Sequence, residues 1–195
     1  MKENNIDFMS LSETKTTPKN QSFFYDSSIK AYHNPHELGA KKGVITLIAP
    51  SLMCHFTKQT DIIPGHCSQS TFKLQGRTLN IFSLYGPNES NMVPFLEQII
   101  NDKYLDNPED NIFIGDWNLL QCPMKDRTSK TQYQKLASSN KLKELMEEYS
   151  LIDPWRQSNP EDILKDPDPP PQPQTSHLFL VKQPKSKPRR HQIKN

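Results

Sequence analysis

Hydrophobic and polar positions alternate or gather in short runs through most of this chain, and that patterning stops near residue 160. Residues 6–11 form the first apolar run and predict a strand, with a polar loop at 14–28. Residues 28–32 and 43–48 read as a strand pair across a turn at 39–42. Residues 52–57 and 69–74 continue the sheet, and Gln75-Gly76-Arg77 turns into a strand over 78–84. The spacing of Val93, Leu96 and Ile100 predicts a helix over 91–104, with Pro94 in the first turn, where a missing N–H costs little. Asn111-Ile112-Phe113-Ile114 reads as a buried strand. Leu142, Leu145, Met146 and Tyr149 lie at i, i+3, i+4 and i+7, which predicts a helix over 133–149. A strand-rich body with two helices belongs to the α/β or α+β layered classes.

Three of the predicted strands end in residues with chemical capability: Glu13-Thr14-Lys15, Tyr85-Gly86-Pro87-Asn88 and Gly115-Asp116-Trp117-Asn118. Asp116 and Asn118 would share one side of an extended chain, because side chains alternate with period 2. A carboxylate beside a neutral amide suits a phosphate and a hard cation. The bland reading of the same residues is a strand-to-turn Asx cap at Asp116, an exposed loop acid at Glu13 and an interfacial aromatic at Tyr85. Asn88 fits a turn-shaping role. His33 and His36, flanking Asn34-Pro35, read as turn residues, and Trp155 as core.

Composition narrows the picture. At 195 residues the chain suits one domain with a real core. Hydrophobic content is 33%, and eight of the 17 prolines lie at or after Pro160, so that end is not expected to pack. The division predicted is a folded unit over 1–160 and a disordered Pro-rich and basic tail over 161–195, with one apolar island at His177–Val181. Residues 181–195 carry six basic residues and no acids, which leaves the rest of the chain net acidic. The body therefore lacks the basic excess that advertises nucleic-acid binding. The 3 cysteines show no disulfide spacing, and no run is long enough to span a membrane. An intracellular setting, nucleus or cytoplasm, follows as the expectation.

In their order, the three strand ends resemble the endonuclease/exonuclease/phosphatase family, the DNase I-like fold that includes AP endonucleases. Lys125-Asp126-Arg127 and Ile152-Asp153-Pro154-Trp155-Arg156 make the chain look most like the endonuclease domain of LINE-type (non-LTR) retrotransposons. The resemblance spans about residues 5–160. It implies a DNase I-like two-sheet β-sandwich flanked by helices, and Mg²⁺-dependent hydrolysis of phosphodiesters that nicks DNA. It also implies that Glu13 holds the metal, that Asp116 orients or deprotonates the attacking water, and that Asn118 and Tyr85 bind phosphate. Asn88 and Arg127 are weaker candidates for contact with phosphate or DNA. The partner implied is DNA if the site is active, with no membrane and no small-molecule cofactor; oligomeric state stays open.

The chain also departs from that family. Its first strand already matches the family's second, so the asparagine-bearing strand has no counterpart. Nothing matches the Arg-x-Asp strand or the terminal Ser-Asp-His, and Thr175-Ser176-His177-Leu178 lacks the aspartate. Residues that act as a unit lose activity together. The expectation is an incomplete sandwich with little or no activity, a degenerate fragment. The alternative is a non-catalytic remnant with weak nucleic-acid binding through its basic tail. A phosphatase of small phosphoesters is a third reading from the same fold.

Overall fold

The computed structural model describes residues 1, 5–19, 28–36, 42–88, 91–101, 110–119, 136–160 and 180–182. Two sheets pack face to face. The smaller contains β1 (Phe8–Leu11), β2 (Lys30–Asn34) and β3 (Val44–Ile48) in the order β1-β3-β2, with both pairings antiparallel. After a helical turn, α1 (Pro50–Met53), the larger sheet begins with β4 (Phe56–Ile63), β5 (Cys67–Leu74) and β6 (Arg77–Tyr85). Helix α2 (Met92–Asn101) leads to β7 (Asp110–Asp116), and α3 (Leu136–Glu148) to β8 (Leu151–Ile152), α4 (Pro154–Ser158) and β9 (Leu180–Lys182). The larger sheet has the order β4-β5-β6-β7-β9-β8. Within it β6 and β7 are parallel, and the other pairings are antiparallel.

The hydrophobic alternation of β5, β6 and β7 divides the core in two. Ile48, Phe72 and Ile81 lie between the sheets, with Phe8, Tyr32, Phe56, Ile112 and Ile114 packed around them. Across the same interface the Thr46 hydroxyl donates to Ser83 Oγ at 3.0 Å. The opposite face of the larger sheet sends Cys67, Phe82, Leu84 and Phe113 against α2 and α3. Burial of this apolar area is the main driving force of such a layered arrangement.

Several elements differ from the sequence expectation. Residues 52–57 do not continue the sheet directly, because Pro50 starts a helical turn and pairing resumes at Phe56. The buried stripe of α2 is Met92, Phe95, Leu96 and Ile99, which leaves Val93 half-buried. In α3, Leu142 and Leu145 are buried as expected, with Met146 and, just past the helix end, Tyr149 packed beside them. Trp155 is not core: it is 40% exposed on α4 and stacks under the Arg156 guanidinium at 4.9 Å. Asp153 explains why α4 forms, since its carboxylate accepts from the backbone N–H groups of Trp155 and Arg156 and Pro154 follows it at the first helical position.

Leu180 and Val181 of the apolar island, with Lys182, form a strand between β7 and β8. That pairing covers an edge of β7 that would otherwise present unpaired backbone. The rest of the expected tail, 161–179 and 183–195, lies outside the described residues, as do Asp126 and Arg127.

Asn34 joins the two sheets. It ends β2 in the smaller sheet and is 1% exposed. Its amide donates to the carbonyls of Ile63 (3.0 Å) and Cys67 (2.8 Å) in the larger sheet, and its Oδ1 accepts from Gly65 N–H at 2.7 Å. One side chain thus satisfies three backbone groups of the loop 63–67, while Gly43 N–H and Tyr85 N–H reach its Gly65 and His66 carbonyls. Asn34 is a structural hub rather than a turn residue.

Candidate active site

The parallel pairing of β6 and β7 sets Tyr85 directly beside Asp116, the last residue of each strand. The two strands then turn together. Gly86 N–H donates to the Asp116 carbonyl at 2.7 Å, and the Gly86 carbonyl accepts from Asn118 Nδ2 at 2.7 Å. No side chain fits at Gly86, because a Cβ there would lie 2.1 Å from the Trp117 carbonyl oxygen. Glu13 comes from the other sheet, two residues beyond β1, with a left-handed φ of 52°. Tyr85 hydroxyl donates to Glu13 Oε1 at 2.7 Å across this gap.

Asp116 and Asn118 meet through a turn and not through an extended strand. Asn118 takes φ 48°, and its N–H donates to Asp116 Oδ1 at 2.9 Å. That contact is the Asx turn of the bland reading, and it leaves the Asn118 amide aimed back at Gly86. Trp117, between Asp116 and Asn118, points the other way and is fully buried in the helix-side core beside Phe113.

Tyr85 is 7% exposed, and its phenol is pushed up to about 12. Burial is the main cause, followed by the hydrogen bond to Glu13 and the charge of Glu13; Asp116 adds to the rise, and a hydrogen bond with Asn118 opposes it. The phenol is thus a neutral donor at physiological pH, placed among one exposed carboxylate, one buried carboxylate and one amide.

The structure therefore brings Glu13, Tyr85, Asp116 and Asn118 together. Asn88 stands on the exposed turn after β6, where its carbonyl accepts from Asn91 N–H at 2.9 Å. Arg127 lies outside the described residues.

His66, which in the sequence suggests at most an improbable zinc ligand beside Cys67, belongs to this site instead. The His66 ring is stacked on the Tyr85 ring (5.8 Å between centroids, 6° between planes), and His66 Nδ1 lies 2.6 Å from the Tyr85 carbonyl. Tyr85 N–H also donates to the His66 carbonyl at 2.7 Å. Burial foremost lowers the His66 pKa, so a neutral ring with Nδ1–H donating to that carbonyl fits the geometry. His66-Cys67 carries no sequence signal for this role, because the partner is 19 residues away.

The site has the donor chemistry of a hard cation. Among the described residues no group of three or more His, Cys, Asp or Glu converges on one point. Mg²⁺ does not require one: it is held by one or two carboxylates, and waters and substrate phosphate complete its shell. Glu13, an exposed carboxylate at the site, fits that demand.

Among the described residues no helix is long and apolar enough to cross a membrane. No protein-family model matches the chain. A curated Xenopus laevis protein, the transposon TX1 uncharacterized 149 kDa protein, is 29% identical over 156 residues, covering 78% of this chain. The chain spans 12% of that protein's length. Among solved structures, AP endonuclease LMAP from Leishmania major superposes with a TM-score of 0.76 at 13% identity, covering 94% of this chain and 72% of that one. The APE2 catalytic domain of Xenopus laevis gives 0.75 at 14% identity, over 93% and 76%. An AP endonuclease from Archaeoglobus fulgidus gives 0.63 at 14% identity, over 93% and 78%. The chain has the DNase I-like fold of these AP endonucleases, and its curated relative is a transposon protein, in keeping with a LINE-type element.

Proposed function

We propose that this chain carries a metal-dependent phosphodiester-hydrolysing centre that nicks DNA on behalf of a retrotransposon. The observation that supports this best is the meeting of Glu13, Tyr85, Asp116 and Asn118 where two parallel strands end against the other sheet. The DNase I-like fold and the transposon relative agree with it.

Each residue has a role that its surroundings favour. Glu13, exposed at its loop, offers carboxylate oxygen to Mg²⁺. The bound cation would neutralise charge on the scissile phosphate. The Tyr85 phenol, kept protonated, donates a hydrogen bond and can pass it from Glu13 to a phosphate oxygen. Asp116 accepts the proton of a water that attacks phosphorus in line as the P–O bond to the leaving strand breaks. The Asn118 amide, anchored to Gly86, holds the phosphate or the water in place.

Supercoiled plasmid with Mg²⁺, with purified chain beside an Asp116→Ala control, tests the proposal. Weak nicking that needs Mg²⁺ and disappears in the control is the expected result, weak because the family's asparagine strand and terminal Ser-Asp-His have no counterpart in the sequence. A chain that is folded by circular dichroism yet leaves the plasmid intact would sink it, as would nicking undiminished by Asp116→Ala.

A further inference from the structure

Beside the four residues above lies a second group of polar side chains that they do not use. Lys42 Nζ lies 3.3 Å from His36 Nε2. The His36 ring meets the His66 ring edge to face at 6.4 Å, and His66 in turn stacks on Tyr85 at 5.8 Å. The centres of His36 and Tyr85 are therefore at most about 12 Å apart. Successive phosphates of one DNA strand lie further apart than the axial rise of about 3.4 Å, because they wind around the axis, so no more than about three nucleotides are needed to bridge the two positions.

The backbone under this pair is held from three directions. Gly43 N–H donates to the Gly65 carbonyl at 3.0 Å, Thr14 N–H to the Gly43 carbonyl at 3.2 Å, and Lys15 N–H to the Lys42 carbonyl at 2.9 Å. His36 N–H donates to the Thr16 carbonyl at 3.4 Å. Lys42 is thus fixed both to the loop that carries Glu13 and to the loop that carries His66. Gly43 has a φ of 113°, and a Cβ on it would stand 2.6 Å from Thr14 Oγ1, so this arrangement requires glycine. Such a platform places a cation without the entropy cost of ordering a free loop.

The chemistry of the pair suits an anion. The Lys42 ammonium has three donors, more than the His36 contact uses. The imidazole of His36 holds the ammonium in place through that contact. The charges of Lys42 and His36 reach far enough to help lower the His66 pKa, which places their field at the edge of the Tyr85 site. Both side chains are half-buried, so an anion there would be screened less than at a fully exposed lysine.

We propose that Lys42 and His36 form a second phosphate subsite, which holds a backbone phosphodiester of the DNA strand a few nucleotides from the one placed among Glu13, Tyr85, Asp116 and Asn118. This rests on the nuclease reading for its ligand but on separate residues for its geometry. The subsite contributes affinity and register and takes no part in bond breaking.

The test is binding, measured without metal so that no cleavage intervenes. Fluorescence anisotropy of a labelled DNA duplex is followed over a range of salt for the full chain, Lys42→Met, Lys42→Arg and Lys143→Ala. Lys143 is exposed on α3 and serves as a control. Loss of one phosphate contact lowers the slope of log K against log salt by about 0.9. Lys42→Met should show that change together with severalfold weaker binding. Lys42→Arg should restore both, and Lys143→Ala should match the parent. If the parent binds and Lys42→Met binds equally well with an equal slope, the subsite is wrong and the nuclease reading stands. If the folded parent does not bind DNA even at low salt, both are wrong.

Discussion

Replacing Gly86 with alanine should damage the molecule at the point where its two central strands turn together. The added Cβ would stand 2.1 Å from the Trp117 carbonyl oxygen, whereas real Cβ contacts do not fall below 3.0 Å. The two backbones must therefore part by roughly 0.9 Å, unlike a case where a flexible side chain could yield. Overpacking of this kind costs about 1–3 kcal/mol. The separation also stretches two hydrogen bonds of 2.7 Å, Gly86 N–H to Asp116 and Asn118 Nδ2 to Gly86, at about 1 kcal/mol each. The expected loss is about 3–5 kcal/mol, a large part of the stability of an ordinary domain. Gly76→Ala is the comparison, since nothing lies within 4 Å of its Cβ and only a left-handed φ of 77° is strained, at about 1–2 kcal/mol. Urea unfolding followed by tryptophan fluorescence reads both, because Trp117 is fully buried against this turn. If the proposed nicking is observed, a displacement near 1 Å at Asp116 and Asn118 should lower it about 100-fold. A Gly86→Ala chain no less stable than Gly76→Ala would refute the reasoning.

Asn34→Ala takes this partner from the buried Cys67 carbonyl and the buried Gly65 N–H, and one of two donors from the half-buried Ile63 carbonyl, so it should cost about 2–4 kcal/mol, read as a lower urea midpoint. An unchanged midpoint would mean that Asn34 does not tie the sheets together. In chain labelled with ¹³C-tyrosine, Tyr85 should titrate at about 12, and Glu13→Gln should lower that midpoint without returning it to 10.0, because burial is the larger cause. The unfolded chain gives up that proton first, so the Tyr85 contribution to stability is complete below pH 10.0 and is lost as pH rises to about 12. A Tyr85 signal that titrates at the ordinary value would contradict its burial, and a midpoint unmoved by Glu13→Gln would contradict the Glu13 contact. With Cys122 replaced by serine, a maleimide should label exposed Cys54 in the native chain and reach Cys67 only on unfolding, since Cys67 is fully buried and burial raises its thiol pKa. Equal labelling rates at the two cysteines would count against the packing of β5.

What the chain discloses on its own is what short-range physics encodes. Leu79–Leu84 and Asn111–Ile114 announce strands by their apolar runs, and Leu142, Leu145 and Met146 announce a helix by their spacing. The residues at the strand ends could be chosen by type, so Glu13, Tyr85, Asp116 and Asn118 stood out before their meeting was visible. The resemblance to DNase I-like endonucleases reached the right fold through those same residues. Even locally the reading stopped at geometry: Asn118 turns left-handed instead of extending beyond Asp116, and the Asp153 cap makes α4 and exposes Trp155 where a core residue was expected.

Contacts between distant segments were decided only by the tertiary structure. Asn34 reads as one polar residue in a turn until the loop 63–67 is folded against it. His66 reads as one histidine until pairing of β5 with β6 sets its ring on Tyr85. Leu180–Lys182 join the larger sheet although a proline-rich segment separates them from it in sequence. Glu13 reaches Tyr85 across 72 positions. Periodicity reports which face of an element is apolar, whereas the partner of a polar side chain depends on how separate elements are stacked, and no local pattern carries that information.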